Sequence, residues 1–141
     1  MRVEKTIVVD APVSKTYKTA EEYPLFVSDF VKKEILLRTD TVAKVRISNR
    51  FFFVTLTWEG DGIKSMNRRI DWIQTTGLLS GLKAAWVFVP LAENVTKVTI
   101  KGEYLRSDLR GLLLSTIAPM LIGKAAAKIL VALKSETECS R

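Results

Sequence analysis

The sequence predicts a single α+β domain in which a strongly curved antiparallel sheet of about seven strands lies beside two short helices and under a long C-terminal helix. Three observations predict it. The 141 residues, 48% apolar and 26% charged, make about one ordinary globular domain spanning 1–141. Residues 31–105 have strand character almost throughout, and residues 108–135 have the character of one helix, which Ser107 would cap. A sheet with one apolar face needs a cover, and this last helix can supply it over the concave face.

The elements follow in the order strand, two short helices, six strands and a helix. Residues 3–9 alternate and are rich in β-branched side chains, which predicts the first strand. Pro12 ends it, Ser14 is placed to cap a short helix, and Pro24 begins a second one over residues 23–27. The six further strands are predicted at 31–39, 42–49, 51–60, 66–75, 82–91 and 96–105. Turn signals stand at Thr39-Asp40-Thr41, Ser48-Asn49-Arg50 and Ala92-Glu93-Asn94, and Gly60-Asp61-Gly62 either ends a strand or bulges it.

Alternation within the strands predicts one apolar face. That face carries Ile70 and Trp72 on one strand and Leu82, Ala84, Trp86 and Phe88 on the next. The last helix has a matching apolar stripe of Leu112, Ser115, Ile122, Ala126, Ile129 and Leu133. Pro119 should kink this helix because it lacks an amide hydrogen. We therefore expect the stripe to lie against the apolar face of the sheet.

The composition excludes most catalytic machinery. Histidine is absent and Cys139 is the only cysteine, so His-based triads, Cys–His pairs, His/Cys zinc sites and an intrachain disulfide are excluded. We predict no cofactor and no metal. The net charge of +7 fits an anionic partner without specifying one. The chain leads straight into a strand pattern, and the uncharged stretch 111–123 is too short to span a bilayer, so we expect a cytoplasmic location.

Five short motifs occur in order along essentially the whole chain. They are Asp10-Ala11-Pro12, Tyr23-Pro24-Leu25-Phe26, Arg69-Ile70-Asp71-Trp72, the run 81–90 and Thr96-Lys97-Val98-Thr99, followed by the long helix. In this order they resemble the START-related (SRPBCC) superfamily, and within it the branch of polyketide cyclases and coenzyme Q-binding proteins. The resemblance implies a helix-grip fold with a cavity between helix and sheet. Members of the superfamily bind lipids, quinones, sterols, plant hormones or polyketides, and some catalyse cyclisation or dehydration.

The resemblance leads us to expect a hydrophobic small-molecule ligand in that cavity, bound for transport or chaperoning rather than for catalysis. The candidate lining residues are Trp72, Trp86, Phe88 and Tyr104 from the strands and Ser115, Ile122 and Ile129 from the helix. Tyr104 and Ser115 would orient a polar group of the ligand. The alternative for the aromatic residues is that they only fill the core, and both hydroxyls could instead bond backbone carbonyls.

Two other functions stay open. One is a cyclase or dehydratase in which Glu59 or Tyr104 acts on an enolisable ligand. Glu59 could face inward near its strand end or be an exposed rim residue, while Asp71 would face inward only if its strand slipped by one residue. The other is an RNA- or ribosome-associated module that works through residues 32–50, which hold six basic and two acidic residues. The apolar middle of the last helix, with Leu114, Ile117 and Leu121, also suits a membrane surface or a homodimer.

Overall fold

The computed structural model describes residues 2–22, 30–51, 54–76, 81–103 and 109–139. The elements are β1 (Arg2–Val9), α1 (Val13–Glu21), β2 (Phe30–Arg38), β3 (Val42–Phe51), β4 (Val54–Ser65), β5 (Arg69–Gln74), β6 (Lys83–Ala92), β7 (Val95–Glu103) and α2 (Leu109–Cys139). The seven strands form one antiparallel sheet in the order β1-β7-β6-β5-β4-β3-β2. The predicted α+β class and seven-stranded antiparallel sheet are confirmed. The short helix predicted at 23–27 and the cap predicted at Ser107 lie outside the described residues.

Two turn predictions are wrong, because residues that favour turns lie inside strands. β3 continues through Ser48-Asn49-Arg50 to Phe51. The Ser48 hydroxyl lies 3.2 Å from the hydroxyl of Thr57 on β4, so this polar residue serves a cross-strand pair. Gly60-Asp61-Gly62 neither ends nor bulges β4, since all three residues pair in register with β3 and β5.

The start of α1 also differs from the prediction. The helix begins at Val13, and the residue before it is Pro12 in an extended conformation with no side-chain cap. Ser14 is therefore inside the first turn and does not cap the helix. Thr16 donates its hydroxyl to the Pro12 carbonyl at 3.0 Å, as hydroxyls within helices commonly do toward the carbonyl four residues earlier.

One face of the sheet, which we call the inner face, packs against the helices. Phe88, Val98 and Ile100 of this face form the core cluster with Leu130 and Leu133 of α2. The cluster also contains Val9, Ala11, Tyr17, Ala20 and Ala126, and Ile129 packs against it. The predicted stripe is thus observed on the core side for Ala126, Ile129 and Leu133. In the described part of the chain, neither helix combines the length and apolar character needed to cross a membrane.

The bend after β1 is held by a buried hydroxyl. Thr96 is completely buried and donates to the Ala11 carbonyl at 2.9 Å. We expect Thr96→Val to lower the free energy of unfolding by about 1–3 kcal/mol, because the carbonyl loses its buried donor. Urea denaturation measures the change. The matched variant Thr57→Val, at an exposed strand position, should stay within about 0.5 kcal/mol of the wild type. Equal losses in the two variants would show that the buried hydrogen bond of Thr96 stabilises the fold no more than the exposed Thr57 hydroxyl does.

Candidate functional site

Trp72 and Trp86 lie on neighbouring strands of the inner face, at the middle of the sheet. Ile70 pairs with Trp86, and Trp72 pairs with Ala84, so side chains of β5 and β6 meet on this face. Trp86 stacks on Phe88 with ring centroids 6.3 Å apart and an interplanar angle of 12°. Phe88 is only 3% exposed, whereas both tryptophans are partly buried. Phe88 therefore belongs to the core, and the tryptophans form its partly accessible border.

The sheet beside Trp72 is lined by glycine. Gly62 pairs with Trp72 on β5, and Gly60 lies two residues before it on the same face. A Cβ atom on Gly60 would lie 2.7 Å from Cε2 of the Trp72 indole and 2.7 Å from the Ile73 carbonyl oxygen. At Gly62, by contrast, the nearest atom to an added Cβ is 3.8 Å away. The indole of Trp72 therefore occupies the space that a side chain at position 60 would need.

Gln74 places a buried amide on the same face. It follows Ile70 and Trp72 at the alternating spacing of β5 and is 6% exposed. The Trp72 indole N–H donates to Oε1 of Gln74 over a long 3.5 Å, and Nε2 of Gln74 has no hydrogen-bond partner among the residues that the structure describes. We did not identify Gln74 from the sequence. The available signal was a polar residue in register with two apolar ones on a predicted strand.

The structure describes the other candidate lining residues only in part. Ile129 of α2 is partly buried and packs against the core cluster. Tyr104 lies outside the described residues. Ser115 and Ile122 are within α2, but their side chains lie outside the description. The structure therefore brings together Trp72, Trp86 and Phe88, with Ile129 against the same core.

The acidic residues considered for catalysis lie on the opposite, outer face of the sheet. Glu59 accepts hydrogen bonds from Arg46 at 2.8 Å and 2.7 Å. Asp71 accepts from Arg69 Nε at 2.8 and 2.9 Å. The strands do not slip: Gly60 and Trp72 occupy the inner face, so the adjacent Glu59 and Asp71 point outward. Asp71 therefore keeps the outward direction that strand alternation predicts, and Glu59 also lies outside the inner face.

Part of the basic stretch 32–50 is neutralised within the sheet. Arg46 lies between Glu59 and Glu34, the latter at 3.2 Å, and its hydrogen bond to Glu59 raises the pKa of the guanidinium above its ordinary value. Lys44 is exposed and pairs across the strands with Asp61. The side chains of Lys32, Lys33 and Arg50 lie outside the description. Among the described members of the stretch, Arg46 is thus paired with two carboxylates, and Lys44 lies opposite Asp61.

A polar cleft of about 680 Å³ opens between α1 and the ends of two hairpins. Its lining includes Tyr17, the ion pair of Lys64 with Glu21 at 3.3 Å, and Arg38. Burial raises the pKa of the Tyr17 phenol, and the nearby Glu21 carboxylate raises it further. The phenol ring packs edge-on against Phe88 with centroids 5.3 Å apart. Tyr17 therefore joins this cleft to the core.

Solved structures share this architecture. No protein-family model and no curated protein matches the sequence. The structure of TTHA0849 from Thermus thermophilus is 18% identical, with a TM-score of 0.84 over 99% of both chains. The Zhui aromatase/cyclase from Streptomyces sp. R1128 is 18% identical, with a TM-score of 0.82 over 98% of this chain and 93% of that one. A START superfamily protein from Mycobacterium smegmatis is 16% identical, with a TM-score of 0.77 over 97% of both chains. The chain therefore has the START-like helix-grip fold that the sequence motifs predicted.

Proposed function

We propose that this protein binds a hydrophobic small molecule, such as a lipid, quinone or polyketide, between the inner face of the sheet and α2. One observation carries the proposal: Trp72 stays partly accessible on the inner face, and the positions that pair with it on either side are Gly62 and Ala84. Trp86, which packs on the core cluster beside Ile70 and Ile100, is also only partly buried. The inner face therefore keeps apolar surface that a ligand can cover.

Burial of apolar surface supplies the driving force. Each 100 Å² of apolar surface removed from water contributes about 2.5 kcal/mol at about 25 cal/mol per Å². The fold supports a small-molecule ligand, because its neighbours include an aromatase/cyclase and a START superfamily protein. We propose binding rather than cyclisation, since Glu59 and Asp71 are held by arginines on the outer face.

Native mass spectrometry of freshly purified protein, followed by organic extraction, tests this function. We expect an apolar adduct on the 15.8 kDa chain. A ligand present at 100 times its Kd should also stabilise the fold by about 2.7 kcal/mol, which raises Tm. A clean mass of the chain alone, together with an unchanged Tm in the presence of micromolar quinones and fatty acids, would contradict the proposal.

A further inference from the structure

We propose that Gln74 donates a hydrogen bond to a ligand oxygen, so that the site selects apolar molecules that carry a neutral carbonyl group over plain hydrocarbons. The inference rests on the proposed function and adds a polar requirement to it. It starts from Nε2 of Gln74, an amide nitrogen that is buried and that meets no hydrogen-bond partner in the described part of the chain. Burial of an amide without a hydrogen bond is costly, and such groups are few in folded proteins.

The orientation of the Gln74 amide follows from its neighbour. The Trp72 indole N–H is a donor only, so it requires the carboxamide oxygen, and Oε1 lies toward it at 3.5 Å. If the amide were flipped, two donors would face each other. The two N–H groups of Nε2 therefore point away from Trp72 and remain unused.

Both polar groups of the Gln74 main chain are hydrogen-bonded, which fixes the backbone from which the side chain extends. Its amide donates to the Leu82 carbonyl at 2.9 Å, and its carbonyl accepts from the Gly81 amide at 2.8 Å. The residue that pairs with it on β4 is Gly60, which has no side chain. Beyond Gly60 on β3 comes the buried, apolar Val45. The paired positions across the inner face thus supply no side-chain acceptor for Nε2.

The chemistry of the missing acceptor follows from these surroundings. A carboxylate would be buried against Trp72, Val45 and glycine, which provide no compensating cation. A neutral carbonyl oxygen satisfies the amide without bringing a charge into the site. The neighbouring indole offers a flat apolar surface for the rest of the molecule. A planar ketone or quinone therefore fits the inner face better than a hydrocarbon or a fatty acid anion.

A matched pair of probes tests the inference. 9-Fluorenone and fluorene have the same ring skeleton and differ by the carbonyl group. We expect the wild-type protein to bind fluorenone about tenfold more tightly, which corresponds to about 1.4 kcal/mol, as measured by isothermal titration calorimetry. Gln74→Met should remove the preference, because methionine has a similar length and no donor. Lys83→Met, the same new side chain at an exposed outer position of β6, should keep the preference.

The outcomes separate this inference from the proposed function. If wild-type protein binds both probes equally, or if Gln74→Met keeps the preference, the role of Gln74 is wrong while the hydrophobic site stands. If wild-type protein binds neither probe, the inference fails, whereas the proposed function is decided by the mass spectrometry and the Tm measurements. Without ligand, Gln74→Met removes an unpartnered buried amide and also the acceptor of the Trp72 indole N–H, so we expect its Tm to stay close to that of the wild type. A fall in Tm much larger than the loss of that one hydrogen bond explains would make Gln74 a structural residue and overturn the inference.

Discussion

Gly60→Ala should displace the Trp72 indole and disrupt the inner face. The added Cβ would collide with the indole and with the Ile73 carbonyl oxygen, which belongs to the backbone and cannot move aside cheaply. We expect the free energy of unfolding to fall by about 1–3 kcal/mol, the usual cost of overpacking. Fluorenone binding should weaken as well, because Trp72 would no longer orient Gln74. Urea denaturation and calorimetry measure the two effects.

Gly62→Ala is the matched control for this change. It is the same substitution on the same face of β4, two residues further on, and the nearest atom to the new Cβ is 3.8 Å away. We expect stability within about 0.5 kcal/mol of the wild type, or a small gain from the stiffer unfolded chain. If the two glycine variants lose the same stability, the close approach of Trp72 to Gly60 does not constrain the sheet.

Leu133→Ala should have the largest effect on stability. Leu133 of α2 is completely buried in the core cluster with Leu130, Val98 and Phe88. Truncation to alanine leaves a cavity, and we expect a loss of about 2–5 kcal/mol in the free energy of unfolding. The helix would pack less tightly on the sheet. Ligand binding between α2 and the sheet should therefore weaken, even at temperatures where the variant is still folded. Thermal and urea denaturation measure the loss.

Val131→Ala distinguishes packing from helix propensity. Val131 lies on the same helix two residues earlier and is 62% exposed. Since alanine favours helices slightly more than valine does, we expect no loss of stability from this change. A loss of less than about 1 kcal/mol in Leu133→Ala would show that α2 is not packed on the sheet through this residue.

The inner face could be predicted from the sequence because strand alternation is strict. Ile70 and Trp72 on β5, and Trp86 and Phe88 on β6, share that face because a sheet with one buried side specifies its register strongly. The stripe of α2 followed from helical spacing in the same way, with Leu133 in the core. Both patterns are local in the sequence, so no knowledge of the tertiary structure was needed.

The positions of Gly60 and Glu59 could not be predicted because they depend on contacts between strands. Glycine signals a turn when only its neighbours in the sequence are known, but Gly60 is needed because the ring of Trp72 lies over it from the next strand. Glu59 points outward because β4 runs on through Gly60, and Arg46 lies opposite it on β3. Such pairings require the register of three strands, which a single sequence does not reveal.

The most direct test of ligand binding at the inner face follows the tryptophan indole N–H signals by NMR during titration with 9-fluorenone. Trp→Phe variants assign the signals. We predict that the Trp72 and Trp86 signals shift in a saturable manner, because a flat ligand would lie against both rings. Backbone signals of Thr6 and Thr99, whose hydroxyls meet 3.1 Å apart on the outer face, should stay in place. Saturable binding of fluorenone that leaves both indole signals unshifted would contradict a ligand site on the inner face.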